Sequence, residues 1–251
     1  MVSVAVFVAQ VSIIIPVLNE ASCLGRTLRH LDILDPPVDE VIVVDGGSTD
    51  ATVAIAKDWG AKVVFASRPG RSVQMNLGAQ LATGDIVCFL HGDTRVPDDL
   101  VTLMTLTLAN PDIACGGFIS VMAGQQTTRW GVSLHNTLKT HYAALLFRPY
   151  RYFRDRLRIL FGDQVMFCRR SDFWTCGGFD DTLPIMEDAD LCLKLSRLGH
   201  IHQVNRLVQS SDRRVVKWGA VKANFIYLAI GSLWGVGVPG PWLKRFYEDV
   251  R

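Results

Sequence analysis

Charge excess of either sign is missing from this chain. Its 26 lysines and arginines face 24 aspartates and glutamates, leaving +2 over 251 residues, so bulk electrostatics gives no reason to expect a nucleic-acid partner. Paired cysteine spacing is missing as well. Cys23, Cys88, Cys115, Cys168, Cys176 and Cys192 are scattered, mostly within apolar runs, which argues against a disulfide framework or a cysteine–histidine metal site and for reduced, buried thiols in the cytoplasm. No G-x-G-x-x-G follows the β-branched runs that end at Glu20 and Asp45, and neither G-x-x-x-x-G-K-S/T nor G-x-S-x-G occurs. A dinucleotide fingerprint, a P-loop and nucleophilic-serine hydrolysis therefore have no support. There is no internal repeat and no low-complexity segment. Residues 1–18 are nearly all apolar, but they lack a basic leader and a small-residue cleavage site and contain Gln10, Ser12 and Pro16. They read as a short extension leading into a strand rather than a signal peptide.

Two short β-branched runs organise what is present: Val11 to Val17, closing on Leu18-Asn19-Glu20, and Val41 to Val44, closing on Asp45-Gly46-Gly47. Each is too brief for a buried helix and each is followed by helical periodicity, the pattern of buried parallel strands. Asn19 is placed to cap a helix running to about Leu34, and Ser48, Thr49 or Asp50 a helix through Lys57. Lys62 to Ala66 and Asp85 to Leu90 add two strands, with Ser72 to Leu81 a helix between them. Pro97 suits the first position of a helix through Leu108. Strict alternation to this point predicts a parallel sheet with right-handed crossovers.

The regularity then breaks. Ile113 to Met122 reads as a strand and Thr128 to Phe147 as a helix. Arg148 to Arg158 reads as an arginine-rich loop. Ile159 to Arg169 reads as a strand interrupted at Gly162-Asp163-Gln164, and Ile201 to about Val208 as the last strand. The chain divides into an α/β domain, 1–209, and a carboxyl-terminal helical segment, 210–251.

Ligands of open α/β sheets bind at the carboxyl ends of strands, and the candidate residues gather there. Asp45 can accept hydrogen bonds from a base or ribose, or cap its own turn. Asp93, in His91-Gly92-Asp93, is an oxygen ligand suited to a divalent cation that also holds a diphosphate. His91 can ligate, bond the nucleotide or orient Asp93. Arg68 and Arg71 flank a Pro-Gly turn and match phosphate oxygens. Glu187, Asp188 and Asp190 open a helix whose dipole favours their ionised form, which suits either a helix terminus or an exposed catalytic base.

Together, Ser12-Ile-Ile-Ile-Pro-Val-Leu-Asn-Glu20, Val43-Val-Asp-Gly-Gly-Ser-Thr-Asp50, Gly70-Arg-Ser-Val-Gln-Met-Asn-Leu-Gly-Ala79, Phe89-Leu-His-Gly-Asp-Thr94 and Glu187-Asp188 resemble the family 2 glycosyltransferases. The resemblance implies the GT-A, Rossmann-like α/β fold: a mixed, mostly parallel sheet flanked by helices. It implies inverting transfer of one sugar from a nucleotide-diphospho-sugar, UDP-linked, with Mg²⁺ or Mn²⁺. Pro16, Glu20 and Asp45 would hold the nucleoside. Arg68 and Arg71 would face the diphosphate, with Asn19, Gln74 and His91 as further donor-binding residues. Asp93 would bind the metal and Asp188 would be the base. His91 departs from the acidic residue usual at its position, and Asp212-Arg-Arg-Val-Val-Lys-Trp218 only loosely echoes the Q-x-x-R-W of processive enzymes, so single-sugar transfer is expected.

Ala223 to Leu243 contains no charge, and its strongest apolar run, within Phe225 to Val238, is short for a span of about 20 residues. It reads as a packing helix or an interfacial one, with Trp218, Trp234 and Trp242 at headgroup level on a peripheral membrane contact. The acceptor hydroxyl or phosphate would then be borne by a lipid such as a carotenoid or polyprenyl lipid. Sugar nucleotidyltransfer is the competing chemistry, but its G-x-G-T-R-type loop is absent after the first strand. A non-catalytic nucleotide-sugar-binding module is disfavoured by intact Asp93 and Asp188.

Overall fold

The structure is a computed structural model that describes residues 9–124, 127–155 and 157–247. The leading extension up to residue 8, Arg156 of the arginine-rich stretch and residues 248–251 lie outside the described residues. Seven strands form one mixed sheet: β1 Val11–Val17, β2 Glu40–Asp45, β3 Lys62–Phe65, β4 Ile86–Phe89, β5 Ile113–Ala123, β6 Met166–Arg169 and β7 His200–Ser211. Their order across the sheet is β3-β2-β1-β4-β6-β5-β7. The first four strands pair in parallel, β6 runs antiparallel to β4 and β5, and β7 is parallel to β5. The expected α/β class and mixed, mostly parallel sheet are therefore correct.

The helices are α1 Leu24–Leu31, α2 Thr52–Trp59, α3 Arg71–Leu81, α4 Leu100–Leu108, α5 Trp130–Phe147, α6 Pro149–Asp155, α7 Arg170–Thr175, α8 Glu187–Leu195, α9 Arg213–Trp218, α10 Ala220–Gly235 and α11 Gly240–Leu243. Along β1, Val11, Ile13 and Ile15 enter a core with α1 and α4, while Ile14 enters the opposite core with Met75 and Ala79 of α3. Both faces being covered is why the strand reads as an unbroken apolar run. Gly78 sets the approach of α3, since a Cβ there would lie 2.4 Å from Ile14 Cγ2.

Several expected elements differ. α1 begins at Leu24 and ends at Leu31, and α4 begins three residues beyond Pro97. The arginine-rich loop contains α6, and the strand expected from Ile159 forms only at Met166–Arg169. Before it, Gly162–Gln164 is a 3₁₀ turn, because Gln164 turns its side chain back to accept the Phe161 N–H at 2.9 Å. β7 continues to Ser211, so the expected boundary at 209/210 falls within a strand. Among the described residues no helix is long and apolar enough to cross a membrane.

Candidate active site

Parallel pairing sets Val17 beside Asp45, so the turns leaving β1 and β2 lie together and are stitched by side chains. The Asn19 N–H donates to Ser48 Oγ at 2.8 Å, and Asn19 Oδ1 accepts the Thr49 N–H at 2.8 Å. The Glu20 N–H donates to Thr52 Oγ1 at 2.8 Å. Asn19 thus joins two turns in a left-handed conformation (φ +56°) and does not cap α1. Asp45 is buried, and its carboxylate accepts the Gly47 and Ser48 N–H groups at 2.9 and 3.0 Å. Gln74 donates to the Val17 and Val44 carbonyls at 2.8 and 2.7 Å, tying the two strand ends together.

Above this edge opens a cavity of about 710 Å³. Pro16, Glu20, Arg68, Arg71, Gln74, His91, Asp93 and Asp188 all line it; Asn19 and Asp45 are not part of the lining. Arg68 bonds Asp181 at 3.0 Å, and Arg71 bonds Glu187 at 3.2 Å. Arg213 is only part of a loose motif echo in the sequence, yet it joins two of the candidate acids, Glu20 and Asp93. Its Nη2 lies 2.8 Å from both Glu20 Oε2 and Asp93 Oδ2. Burial alone would weaken its proton, but Asp93 and Glu20 outweigh this and hold it above the usual guanidinium range. Among the described residues its buried Nη1 has no hydrogen-bond partner, leaving a donor for a bound anion.

Among the described residues Asp93 Oδ1 has the Thr94 hydroxyl at 3.5 Å, and no group of three metal-ligating side chains exists there. This donor set fits a hard cation that completes its shell with substrate phosphates, not one caged by protein. Arg213→Ala would leave Glu20 and Asp93 without their shared cation. The three side chains retain 18–27% exposure, so solvent screening limits the expected loss to about 1–2 kcal/mol. Thermal melts at neutral pH check this, and an unchanged midpoint would show that water screens the pair fully.

Asp188 corrects an expectation. It is not an exposed, ionised carboxylate: it is buried with Glu187, and its pKa is pushed up to about 8 by burial first and the Glu187 carboxylate second. Asp188 Oδ2 accepts the Gly162 N–H at 2.9 Å. A Cβ on Gly162 would lie 2.7 Å from that oxygen and 2.8 Å from His91 Nε2, so the 3₁₀ turn brings acid and imidazole together. Burial, aided by Arg71, lowers the His91 pKa to about 3 and keeps the ring neutral. Asp190 instead pairs with Lys194 at 2.8 Å and lies outside the cavity lining. Non-glycine residues in the left-handed region border this corner, Val165 at φ +52° and Met186 at φ +67°, as strained backbone does around functional sites.

Sequence reasoning missed much of the remaining wall. Asn136 and Lys139 of α5, Asp163, Arg213 and Arg214 of α9, Tyr227 of α10 and Tyr247 all line the cavity. Asn136 Nδ2 donates to Asp163 Oδ2. Lys139 Nζ sits 3.5 Å from the Phe161 ring centroid, and burial lowers its pKa to about 8. Arg214 stacks 4.4 Å from the Tyr247 ring centroid. The Gly-Asp-Gln break inside an apolar run and the Arg-Arg pair after the last strand were the legible signals. Trp218 and Trp234, expected at a headgroup level, pack inward against Tyr227 and Ile230 respectively.

A family model described as glycosyl transferase family 2 matches residues 12–177. Glucosyl-3-phosphoglycerate synthase of Mycolicibacterium smegmatis is 34% identical over 116 residues, 43% of this chain and 37% of that protein. The probable glycosyltransferase YdaM of Bacillus subtilis is 25% identical over 202 residues, 76% of this chain and 47% of that one. The chain spans about a third of the length of the first curated relatives it matches, 37% and 30%. Among solved structures, glucosyl-3-phosphoglycerate synthase from Mycobacterium tuberculosis, in complex with Mn²⁺, UDP and glucosyl-3-phosphoglycerate, superposes with TM-score 0.62. That likeness has 24% identity and covers 92% of this chain and 81% of that one. The mannosyltransferase PcManGT from Pyrobaculum calidifontis, in complex with GDP-Man and Mn²⁺, gives TM-score 0.68 at 20% identity, covering 96% and 68%.

Proposed function

From the premise that this chain belongs to glycosyl transferase family 2, we propose that it moves one sugar from a UDP-sugar to an acceptor hydroxyl, with inversion at the anomeric carbon. The observation that carries the reading is the convergence, in one cavity, of Glu20 and Asp93 bridged by Arg213 with a buried Asp188. The first cluster suits a diphosphate and its cation; the second suits proton transfer. Asp45 and the stitched turns of β1 and β2 shape the nucleoside end.

Asp93 would hold Mg²⁺ or Mn²⁺ together with diphosphate oxygens, and that cation would neutralise charge on the leaving group. Arg68, Arg71 and Arg213 bind the same oxygens through charge-assisted hydrogen bonds. The acceptor oxygen forms its bond to the anomeric carbon as the bond to the diphosphate oxygen breaks. The leaving diphosphate keeps that electron pair, and Asp188 takes the hydroxyl proton. A carboxyl group with pKa near 8 is matched to this task, because proton transfer is most efficient when the base titrates near working pH.

Calorimetric titration of UDP with Mn²⁺ tests the donor half. Wild type is expected to bind, and Asp45→Ala to bind at least about tenfold more weakly, near 1.4 kcal/mol. Equal affinity in the two proteins would remove Asp45 from the nucleoside site. Tighter binding of GDP than UDP would overturn the assignment of the base.

A further inference from the structure

Charge is close to balanced in the whole chain but not within its helical layer. Residues 127–154 and 213–247 hold eleven lysines and arginines and no aspartate or glutamate. The rest of the chain holds 15 against 24. The same two stretches, about a quarter of the chain, carry fourteen of the twenty-one large apolar side chains that are exposed among the described residues.

α5 and α10 place this surface. They lie side by side and run parallel, since His135 bonds Asn224, Lys139 sits over Tyr227 and Arg148 bonds the Gly235 carbonyl. Their inner faces are satisfied: Val132 packs with Val215 and Ala223, and Ile230 with Ile185 and Leu243. Their outer faces are not. Trp130, Leu134 and Leu138 recur at helical spacing along α5, as do Val221, Phe225 and Leu228 along α10. Trp130 is 70% and Phe225 71% exposed. Soluble monomers rarely leave so extended an apolar face uncovered.

We propose that the paired outer faces of α5 and α10 dock on an anionic lipid surface, with Trp130, Leu134, Leu138, Val221, Phe225 and Leu228 entering the interface. Charge complementarity selects this occupant. Lys139, Arg213, Arg214 and Lys244 line the cavity and Arg129 pairs with Asp212, but Lys217 and Lys222 are exposed next to Val216 and Val221. An apolar face bordered by lysines matches the acyl boundary and anionic headgroups of a bilayer. The opposite faces of the two helices supply Lys139, Tyr227, Ile230 and Gly231 to the cavity wall. Docking therefore sets the cavity one helix thickness, about 10 Å, from the lipid. The role of this contact in presenting a lipid-borne acceptor rests on the glycosyl-transfer reading; the docking itself does not.

Cosedimentation of the full chain with vesicles tests the proposal. Wild type is expected to pellet with phosphatidylcholine–phosphatidylglycerol vesicles and less with phosphatidylcholine alone. Leu134→Glu with Phe225→Glu should lower the partition constant by about tenfold or more. Lys217→Glu with Lys222→Glu, which leaves the apolar stripes intact, should remove the preference for anionic vesicles. Calorimetric binding of UDP with Mn²⁺, run in parallel, reports that each variant is folded. Failure of wild type to pellet, or pelleting unaltered in the folded variants, overturns the proposal. So does a dimer in equilibrium sedimentation that Leu134→Glu with Phe225→Glu dissociates while vesicles are ignored. Vesicle binding without UDP binding would instead refute the donor assignment and leave the docking face standing.

Discussion

Asp188→Asn is expected to lower turnover by about 10²–10⁴-fold, the usual contribution of positioned proton transfer, while UDP affinity changes little. The amide keeps an oxygen for the Gly162 N–H, which lies 2.9 Å from Asp188 Oδ2, so geometry survives and only proton acceptance is lost. In the proposed mechanism the reactive form of the wild-type group is the carboxylate, and its pKa is raised to about 8 by burial and then by Glu187. Wild-type turnover should therefore climb with pH up to about 8.

Stability has the opposite sign. Folding raises this pKa from the ordinary carboxylate value of 3.8 to about 8, so the native state keeps a proton that the unfolded chain releases. The stabilisation from this group is complete below the unfolded pKa and is lost as pH rises through the folded one. Asparagine cannot ionise. Melts at a series of pH values should show Asp188→Asn gaining on wild type as pH rises from about 5 to about 9. Parallel melting profiles would mean that Asp188 titrates as an ordinary exposed carboxylate. Asp190→Asn is the contrasting variant: it removes the Lys194 pair and should retain near-wild-type turnover. A collapse of activity in Asp190→Asn with Asp188→Asn still active would move the base to Asp190.

Gly162→Ala should cost about 10²-fold in turnover, the scale for displacing a catalytic group by about 1 Å. The added methyl would meet Asp188 Oδ2 at 2.7 Å and His91 Nε2 at 2.8 Å. Asp188 is not a loose side-chain end, because its Oδ2 is held by the Gly162 N–H. Overpacking of this kind costs about 1–3 kcal/mol of stability, so a lower melting temperature should accompany the loss. Gly131→Ala, whose methyl meets nothing within 4 Å, is the matched control and should be close to neutral. Full activity in Gly162→Ala would show that the turn yields and that Asp188 is not held by it.

The sequence by itself determined the first four strands and the order of the site motifs. β1 and β2 are legible because a strand buried on both faces is written locally, as β-branched residues closed by turn chemistry. The turn role of Asp45 is equally local, since its carboxylate bonds N–H groups two and three residues away. Asn19 shows where local reading ends. Its residue type suits a helix cap, but its partners are Ser48 and Thr49, across a turn set beside it only by strand pairing. What only the tertiary structure decided depends on larger separations. Asp188 meets Gly162 across 26 residues, and Arg213 meets Asp93 and Glu20 across 120 and 193. No periodicity spans such distances. The helix start that appeared to hold exposed acids became a buried proton site because the Gly162 turn and Glu187 close over Asp188 and take away its water, and desolvation is a property of packing, not of residue type.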